Sequence, residues 1–89
     1  MNFAGTLSEA RDQGYFIIDI RRPEECSQRP LPEADEEIEM NVLMASPTEF
    51  LPEGRKVLLV CKAGTRAGQT TTYLRSQGFD NVYAYPKAW

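Results

Sequence analysis

The residues with the clearest chemical potential lie in the stretch VLLVCKAGTRAGQ, residues 57–69. Four aliphatic residues lead to Cys61, and a short loop with one glycine and the basic residues Lys62 and Arg66 follows. A cysteine thiolate is a strong nucleophile, but a buried cysteine is equally often an inert core residue. What surrounds the sulfur therefore decides between a chemical and a structural role for Cys61.

The loop after Cys61 has the composition of an anion-binding concavity. The residues KAGT, 62–65, lie between a strand end and a helix start, where successive backbone N–H groups can point inward. Gly64 allows the positive φ that such a concavity needs. The helix that follows adds unpaired N–H groups and the positive end of its dipole. Together these groups would stabilise a thiolate without help from an imidazole.

Two cations flank this loop, and each has two interpretations. Lys62 and Arg66 are either solvated surface charges or an electropositive rim for an anionic sulfur donor. A cation at the start of a helix opposes the helix dipole. This conflict with local preference favours a role for Arg66 in the loop or at a ligand.

Length and composition limit the class of protein. The chain has 89 residues, of which 42% are hydrophobic and 26% charged, as is usual for soluble proteins built on one core. We expect one small domain over residues 1–89, and a monomer. No apolar run approaches the ~20 residues of a bilayer span, and no basic start with an apolar stretch indicates a secretory signal. A cytoplasmic protein without membrane contact is expected.

Charge and the absence of histidine exclude several kinds of site. Acidic residues dominate the segment from Glu24 to Glu39, and the formal net charge is −3, so direct nucleic-acid binding is not expected. The chain has two cysteines, Cys26 and Cys61, and no histidine. This composition excludes most zinc sites and any nucleophile activated by imidazole. We expect no metal and no cofactor.

Helix and strand signals alternate along the chain. Thr6 and Glu9 have the spacing of a capping box, and Gly14 is placed to end the helix that they begin. In the first half, the predicted elements are a helix over 7–13, a strand over 15–20, a turn or one helical turn opened by Pro23, and an exposed loop over 27–37. A strand over 38–44 and a brief helix over 47–51 follow, and Ser46 and Glu49 have the spacing of a capping box for that helix. The last predicted elements are a strand over 56–61, a helix over 66–77 and a strand over 81–85.

This alternation predicts an α/β fold with a small parallel β-sheet flanked by helices on both faces. In such sheets, binding sites form beyond the carboxyl ends of the strands. Cys61 lies at that position in the sequence.

Two stretches carry a resemblance to a known family. CKAGTRAGQTTTYLRSQGFDNVYAY, residues 61–85, resembles the active loop, helix and next strand of the rhodanese-like sulfurtransferases, and IIDIRRPEE, residues 17–25, resembles their first core strand. The likeness runs with gaps from about Tyr15 to Tyr85. The acidic segment after the first strand and the early ending are most similar to the C-terminal rhodanese extension of some tRNA 4-thiouridine synthetases.

The resemblance implies a rhodanese-type sulfurtransferase in which Cys61 carries a persulfide. The donor would be thiosulfate, another small anionic sulfur compound or a protein persulfide, and the acceptor cyanide, a thiol or a protein of a sulfur-carrier pathway. Asp19 and Arg21 would support the site as a charge pair. The implied cradle for the persulfide consists of the backbone amides of Lys62, Ala63, Gly64, Thr65 and Arg66.

Other functions stay open at this point. Four residues separate Cys61 from Arg66, whereas the loop is one residue longer in the phosphatases whose fold resembles this one, so sulfur chemistry is favoured over phosphate chemistry. A non-catalytic binding module, docking a basic partner on the acidic segment, is the main alternative. Cys26 is either a resolving thiol for the persulfide or an incidental loop cysteine, and Trp89 either covers the sheet or is exposed.

Overall fold

The computed structural model describes residues 1–87, which form a parallel four-stranded sheet in the order β2-β1-β3-β4, with helices on both faces. The predicted fold class is confirmed. The strands are β1 Phe16–Asp19, β2 Glu36–Glu37, β3 Val57–Val60 and β4 Val82–Ala84; the helices are α1 Leu7–Asp12, α2 Pro23–Gln28, α3 Met40–Ala45, α4 Pro47–Phe50 and α5 Thr65–Ser76.

The two central strands form the centre of the core because their side chains are apolar on both faces of the sheet. Every residue of β3 is fully buried, and β1 pairs with it from Phe16 opposite Val57 to Asp19 opposite Val60. One core cluster, beneath α3, α4 and α5, contains Ile18, Leu43, Leu59, Ala67, Leu74 and Val82. The other, beneath α1, contains Phe3, Leu7, Ala10, Ile17, Leu58 and Val60.

The first residues of the chain cover the outer edge of β4. The Phe3 amide donates to the Ala84 carbonyl at 2.8 Å, and the Ala84 amide donates to the Met1 carbonyl at 2.8 Å. These bonds satisfy backbone groups that an edge strand would otherwise expose. The N-terminal segment is thus part of the sheet, which the sequence did not predict.

The start of α1 follows the predicted capping pattern. The Glu9 amide donates to Thr6 Oγ1 at 3.1 Å, and the Thr6 amide donates to a carboxylate oxygen of Glu9 at 2.9 Å. Near the end of the helix, Gly14 has a φ of +85°. The analogous capping box at Ser46 is wrong, because the Ser46 side chain makes no cap hydrogen bond, although the helix after Pro47 is present.

The predicted strand over 38–44 is wrong. Residues 40–45 form α3, because the Glu39 carboxylate accepts from the amides of Asn41 at 3.0 Å and Val42 at 3.4 Å and so caps a helix start. One helical turn brings Leu43 fully into the core.

The predicted exposed loop over 27–37 is also wrong in part. Helix α2 continues to Gln28, and Leu31 is buried. The strand of this region is β2, which comprises only two acidic residues paired with β1.

Within residues 1–87, no helix combines the length and the apolar character that crossing a membrane requires. The prediction for Trp89 lies outside the described residues.

Candidate functional site

The carboxyl ends of the two central strands bring the chemically interesting residues together. Asp19 pairs with Val60 across the sheet, and the Ile20 amide donates to the Val60 carbonyl at 2.9 Å. The segment that leads from β1 into α2 therefore lies next to the loop that leads from Cys61 into α5. The sequence placed both segments at this edge but could not show their contacts.

Backbone N–H groups face the sulfur of Cys61. The amide of Gly64 donates to Cys61 Sγ at 3.1 Å, and the amide of Ala67 donates at 3.3 Å. Cys61 is only 1% exposed, so these bonds form in a region that excludes water. Gly64 belongs to the predicted cradle, whereas Ala67 does not. The donor role of the Ala67 amide could have been predicted from its place in the first turn of α5, because backbone amides there have no acceptor within the helix.

Gly64 is needed at its position for two reasons. Its φ is +92°, in the left-handed region that favours glycine. A Cβ atom there would also lie 2.6 Å from the backbone carbon and oxygen of Pro86, which passes over the loop. A cavity of about 700 Å³ opens beside this contact, and the residues that line it include Met1, Asn2, Ala63, Thr65, Gln69 and Thr72.

Arg66 is held by an ion pair that the sequence did not reveal. Its guanidinium donates to the two carboxylate oxygens of Glu25, at 2.7 Å and 3.0 Å, and both side chains are about one-third exposed or less. The hydrogen bond from Arg66, followed by that from the Arg22 amide, lowers the pKa of Glu25 to about 2. Of the two cations predicted to form an electropositive rim, Arg66 is thus neutralised by a neighbour, and Lys62 is exposed.

Asp19 and Arg21 form a buried ion pair beside the site. Arg21 Nη2 lies 2.7 Å from Asp19 Oδ2, and the two side chains are 4% and 0% exposed. The same guanidinium donates to the Arg29 carbonyl at 2.6 Å, so it joins the end of β1 to the end of α2. The hydrogen bond with Asp19 raises the pKa of Arg21 above its usual value. The geometry is that of the predicted charge pair.

Cys26 lies in α2 and is buried, so its expected placement in a loop is wrong. Its sulfur lies 3.5 Å from Asp19 Oδ2 and 4.0 Å from the Arg21 carbonyl oxygen. Burial, followed by the negative charge of Asp19, raises the pKa of the Cys26 thiol to about 11. A thiol that stays protonated is a poor nucleophile, so these surroundings do not favour a resolving role.

One group of side chains in the described part of the chain has the spacing of metal ligands. Atoms of Asp19, Cys26 and Glu37 lie within 4.8 Å of one another. Asp19 already accepts hydrogen bonds from Arg21 and Cys26, and metal binding requires a deprotonated thiol. The chemistry of this group therefore fits a closed hydrogen-bond network better than a metal centre.

Comparison with known proteins gives a consistent result. The sequence profile of the rhodanese-like domain matches residues 4–89. The chain is 34% identical over 79 residues to the tRNA sulfurtransferase of Edwardsiella ictaluri, an overlap of 86% of this chain and 16% of that protein. A sulfurtransferase of Allochromatium vinosum is 32% identical over 73 residues, 82% of this chain and 66% of that protein. The chain spans about a sixth of the length of the tRNA sulfurtransferases it matches.

Solved structures share the fold. The human single-domain sulfurtransferase TSTD1 has a TM-score of 0.76 at 23% identity, over 93% of this chain and 85% of that one. A protein of Staphylococcus saprophyticus has a TM-score of 0.77 at 24% identity, over 99% of this chain and 89% of that one. Since the family profile covers nearly the whole sequence and the fold agrees, this chain belongs to the rhodanese-like domain family.

Proposed function

We propose that this protein is a sulfurtransferase in which Cys61 is the nucleophile and the carrier of a persulfide. The observation that carries the proposal is the pair of amide donors, from Gly64 and Ala67, directed at Cys61 Sγ. Hydrogen bonds from fixed dipoles stabilise negative charge on sulfur in a site that excludes water. The chain has no histidine, so these backbone groups take the place of an activating imidazole.

The proposed reaction has two steps. The Cys61 thiolate attacks the outer sulfur of the donor, the sulfur–sulfur bond of the donor breaks, and sulfite leaves with the bonding electrons when the donor is thiosulfate. An acceptor such as cyanide or a thiol then attacks the terminal sulfur of the persulfide, and Cys61 leaves as a thiolate. The loop from Lys62 to Arg66 surrounds the sulfur during both steps. Neither step requires a metal or a cofactor.

The physiological partners belong to the proposal as well. The donor is a small anionic sulfur compound or a protein persulfide, and a sulfur-acceptor protein receives the sulfur without direct contact of this domain with nucleic acid or membrane. Thiol chemistry of this kind suits the reducing cytoplasm. Acidic surface residues such as Glu24 and Glu36 disfavour contact with a phosphate backbone.

The decisive experiment is intact-protein mass spectrometry after brief exposure to thiosulfate without reductant. The natural chain should gain the mass of one sulfur atom and lose it again, as thiocyanate, when cyanide is added. Cys61→Ser should gain nothing, and Cys26→Ser should behave like the natural chain. These matched variants separate a specific persulfide from general thiol oxidation.

Three outcomes would contradict the proposal. A gain that persists in Cys61→Ser and disappears in Cys26→Ser would assign the chemistry to the other cysteine. No gain with thiosulfate or with a persulfide made by a cysteine desulfurase would favour the non-catalytic binding module. Turnover of an aryl phosphate that depends on Cys61 would point to a phosphatase instead.

A further inference from the structure

The ion pair between Glu25 and Arg66 joins two parts of the site that are distant in sequence. Glu25 lies in the first turn of α2, and Arg66 in the first turn of α5, directly before Ala67. Both carboxylate oxygens of Glu25 accept from Arg66, and one of them also accepts from the Arg22 amide at 3.0 Å. The Arg22 amide at the start of α2 therefore holds the Glu25 carboxylate in position, and the carboxylate holds the Arg66 guanidinium.

Arg66 directly precedes Ala67, whose amide donates to Cys61 Sγ at 3.3 Å, so the arginine starts beside the sulfur. The hydrogen bond to Glu25 is the main cause that raises the pKa of Arg66, and Cys61 contributes in the same direction. A guanidinium at such a position, if unpaired, would attract a doubly charged donor. In this protein both terminal nitrogens of the guanidinium donate to the Glu25 carboxylate, whose negative charge balances that of Arg66.

We propose that Glu25 is a positioning residue that sets donor specificity, because it holds Arg66 in place and withholds its charge from anionic donors. The inference rests on the proposed sulfur transfer. It predicts a site selective against doubly charged donors, thiosulfate among them, and better suited to donors of lower charge. The carboxylate remains ionised throughout the working pH range, since its pKa is about 2. The neutralisation of Arg66 is therefore permanent and does not act as a pH switch.

Glu25→Gln tests the inference through the charge of the donor. A glutamine side chain keeps the size of Glu25 but lacks the negative charge. The positive charge of Arg66 is then no longer balanced by a neighbour and can attract an anionic donor. The values of kcat/KM are measured for thiosulfate, with charge −2, and for an alkanethiosulfonate, with charge −1. The ratio of the two should shift about three- to tenfold toward thiosulfate in Glu25→Gln, and added salt should reduce the shift.

Glu24→Gln is the matched control. Glu24 is exposed and is the neighbouring residue of α2. Its replacement by glutamine removes the same charge from the same helix. Its ratio should equal that of the natural chain. A shift of similar size in both variants would assign the effect to net charge and overturn the inference. If kcat/KM falls equally for both donors in Glu25→Gln, Glu25 has only a structural role. That result also overturns the inference.

The double variant Glu25→Gln with Arg66→Gln keeps the inference testable should the single variant fail to fold, because it leaves no charge unpaired. It should show the donor ratio of the natural chain. A ratio shifted toward the alkanethiosulfonate would mean that Arg66 attracts thiosulfate in the natural protein, contrary to the inference. Failure of the natural chain and Glu24→Gln to carry sulfur at all would instead overturn the proposed function, and this inference with it.

Discussion

The two cysteines of this protein are almost equally buried and yet lie in opposite electrostatic surroundings. Cys26 is 3% exposed and Cys61 is 1% exposed, and both lie beyond the carboxyl ends of central strands. The Cys61 sulfur accepts from two backbone amides, whereas the Cys26 sulfur lies next to a carboxylate and a carbonyl oxygen. Burial alone therefore does not determine the electrostatic surroundings of a thiol.

The difference arises from the backbone at Cys61 and from a charged side chain at Cys26. After β3, a glycine in the left-handed region turns the loop so that N–H groups face the sulfur. After β1, the chain enters α2 through the Asp19–Arg21 pair, and the carboxylate that serves this pair also faces Cys26. Amide donors thus face the sulfur at one strand end, and at the other end burial and a carboxylate raise the pKa of the thiol.

The largest expected effect is in thiol reactivity. The test compares the alkylation rates of two variants, Cys26→Ser, which keeps the Cys61 thiol, and Cys61→Ser, which keeps the Cys26 thiol. The reagent is small and uncharged, and the pH is 8. Because the pKa of Cys26 is about 11, only about one Cys26 thiol in a thousand is ionised at this pH. Cys61 should react at least about 100-fold faster, and the rate for Cys26 should increase with pH up to about its pKa.

In denaturant the two rates should become equal, because the surroundings that separate them are lost. Equal rates in the folded proteins would contradict the comparison between the two sites.

A smaller effect is expected from adding a methyl group to the loop. Gly64→Ala introduces a Cβ atom 2.6 Å from backbone atoms of Pro86, at a residue with positive φ. The loop must shift, which should reduce sulfur loading of Cys61 at least about tenfold and destabilise the fold by roughly 1–3 kcal/mol. Mass spectrometry measures the first quantity and urea denaturation the second.

Gly68→Ala is the matched control for stability, because a Cβ at this helical position meets no atom within 4 Å. It should stabilise the protein by up to about 1 kcal/mol. A Gly64→Ala variant as stable as Gly68→Ala would show that the loop tolerates a side chain at this position.

The smallest effect concerns one surface charge. Glu37 lies within 4.8 Å of the Cys26 sulfur and helps to raise the pKa of Cys26, after burial and Asp19. In the Cys61→Ser background, Glu37→Gln should therefore increase alkylation of Cys26 about two- to fourfold at pH 9. Glu36→Gln, on the opposite face of the same strand, should leave the rate unchanged. Identical rates in all three proteins would exclude a contribution from Glu37.

The sequence predicted those parts of the fold whose signal is local. The strands around Ile18 and Leu59 are continuous apolar runs, and α1 and α5 have clear start and stop residues. The strand predicted over 38–44 is wrong because a short alternation of apolar and polar residues is also compatible with helical spacing. Met40, Leu43 and Met44 are spaced as on one helical face, and Glu39 caps the helix. Strand β2 has no local signal, since it is acidic and only pairing with β1 defines it.

The same distinction holds for the candidate site. The loop from Cys61 to Arg66 is contiguous, so the glycine and helix-start signals predict the positive φ of Gly64 and the helix that follows it. The partner of Arg66 could not be predicted, because Glu25 is 41 positions away in the sequence. The contact of Pro86 with Gly64 was missed for the same reason. Contacts between distant segments follow from the sheet topology, which a single sequence does not show.

Both ends of the described chain lie next to the sulfur loop. Met1, Asn2 and Pro86 line the same cavity as Ala63, Gly64 and Thr65. Gly64 connects this cavity to the sulfur, because its amide donates to Cys61 Sγ and its α-carbon faces the backbone of Pro86. A ligand in the cavity would therefore contact the loop that follows Cys61 and, at the same time, the first residues of the chain and Pro86. The space beside the loop thus depends on segments that are far from Cys61 in the sequence.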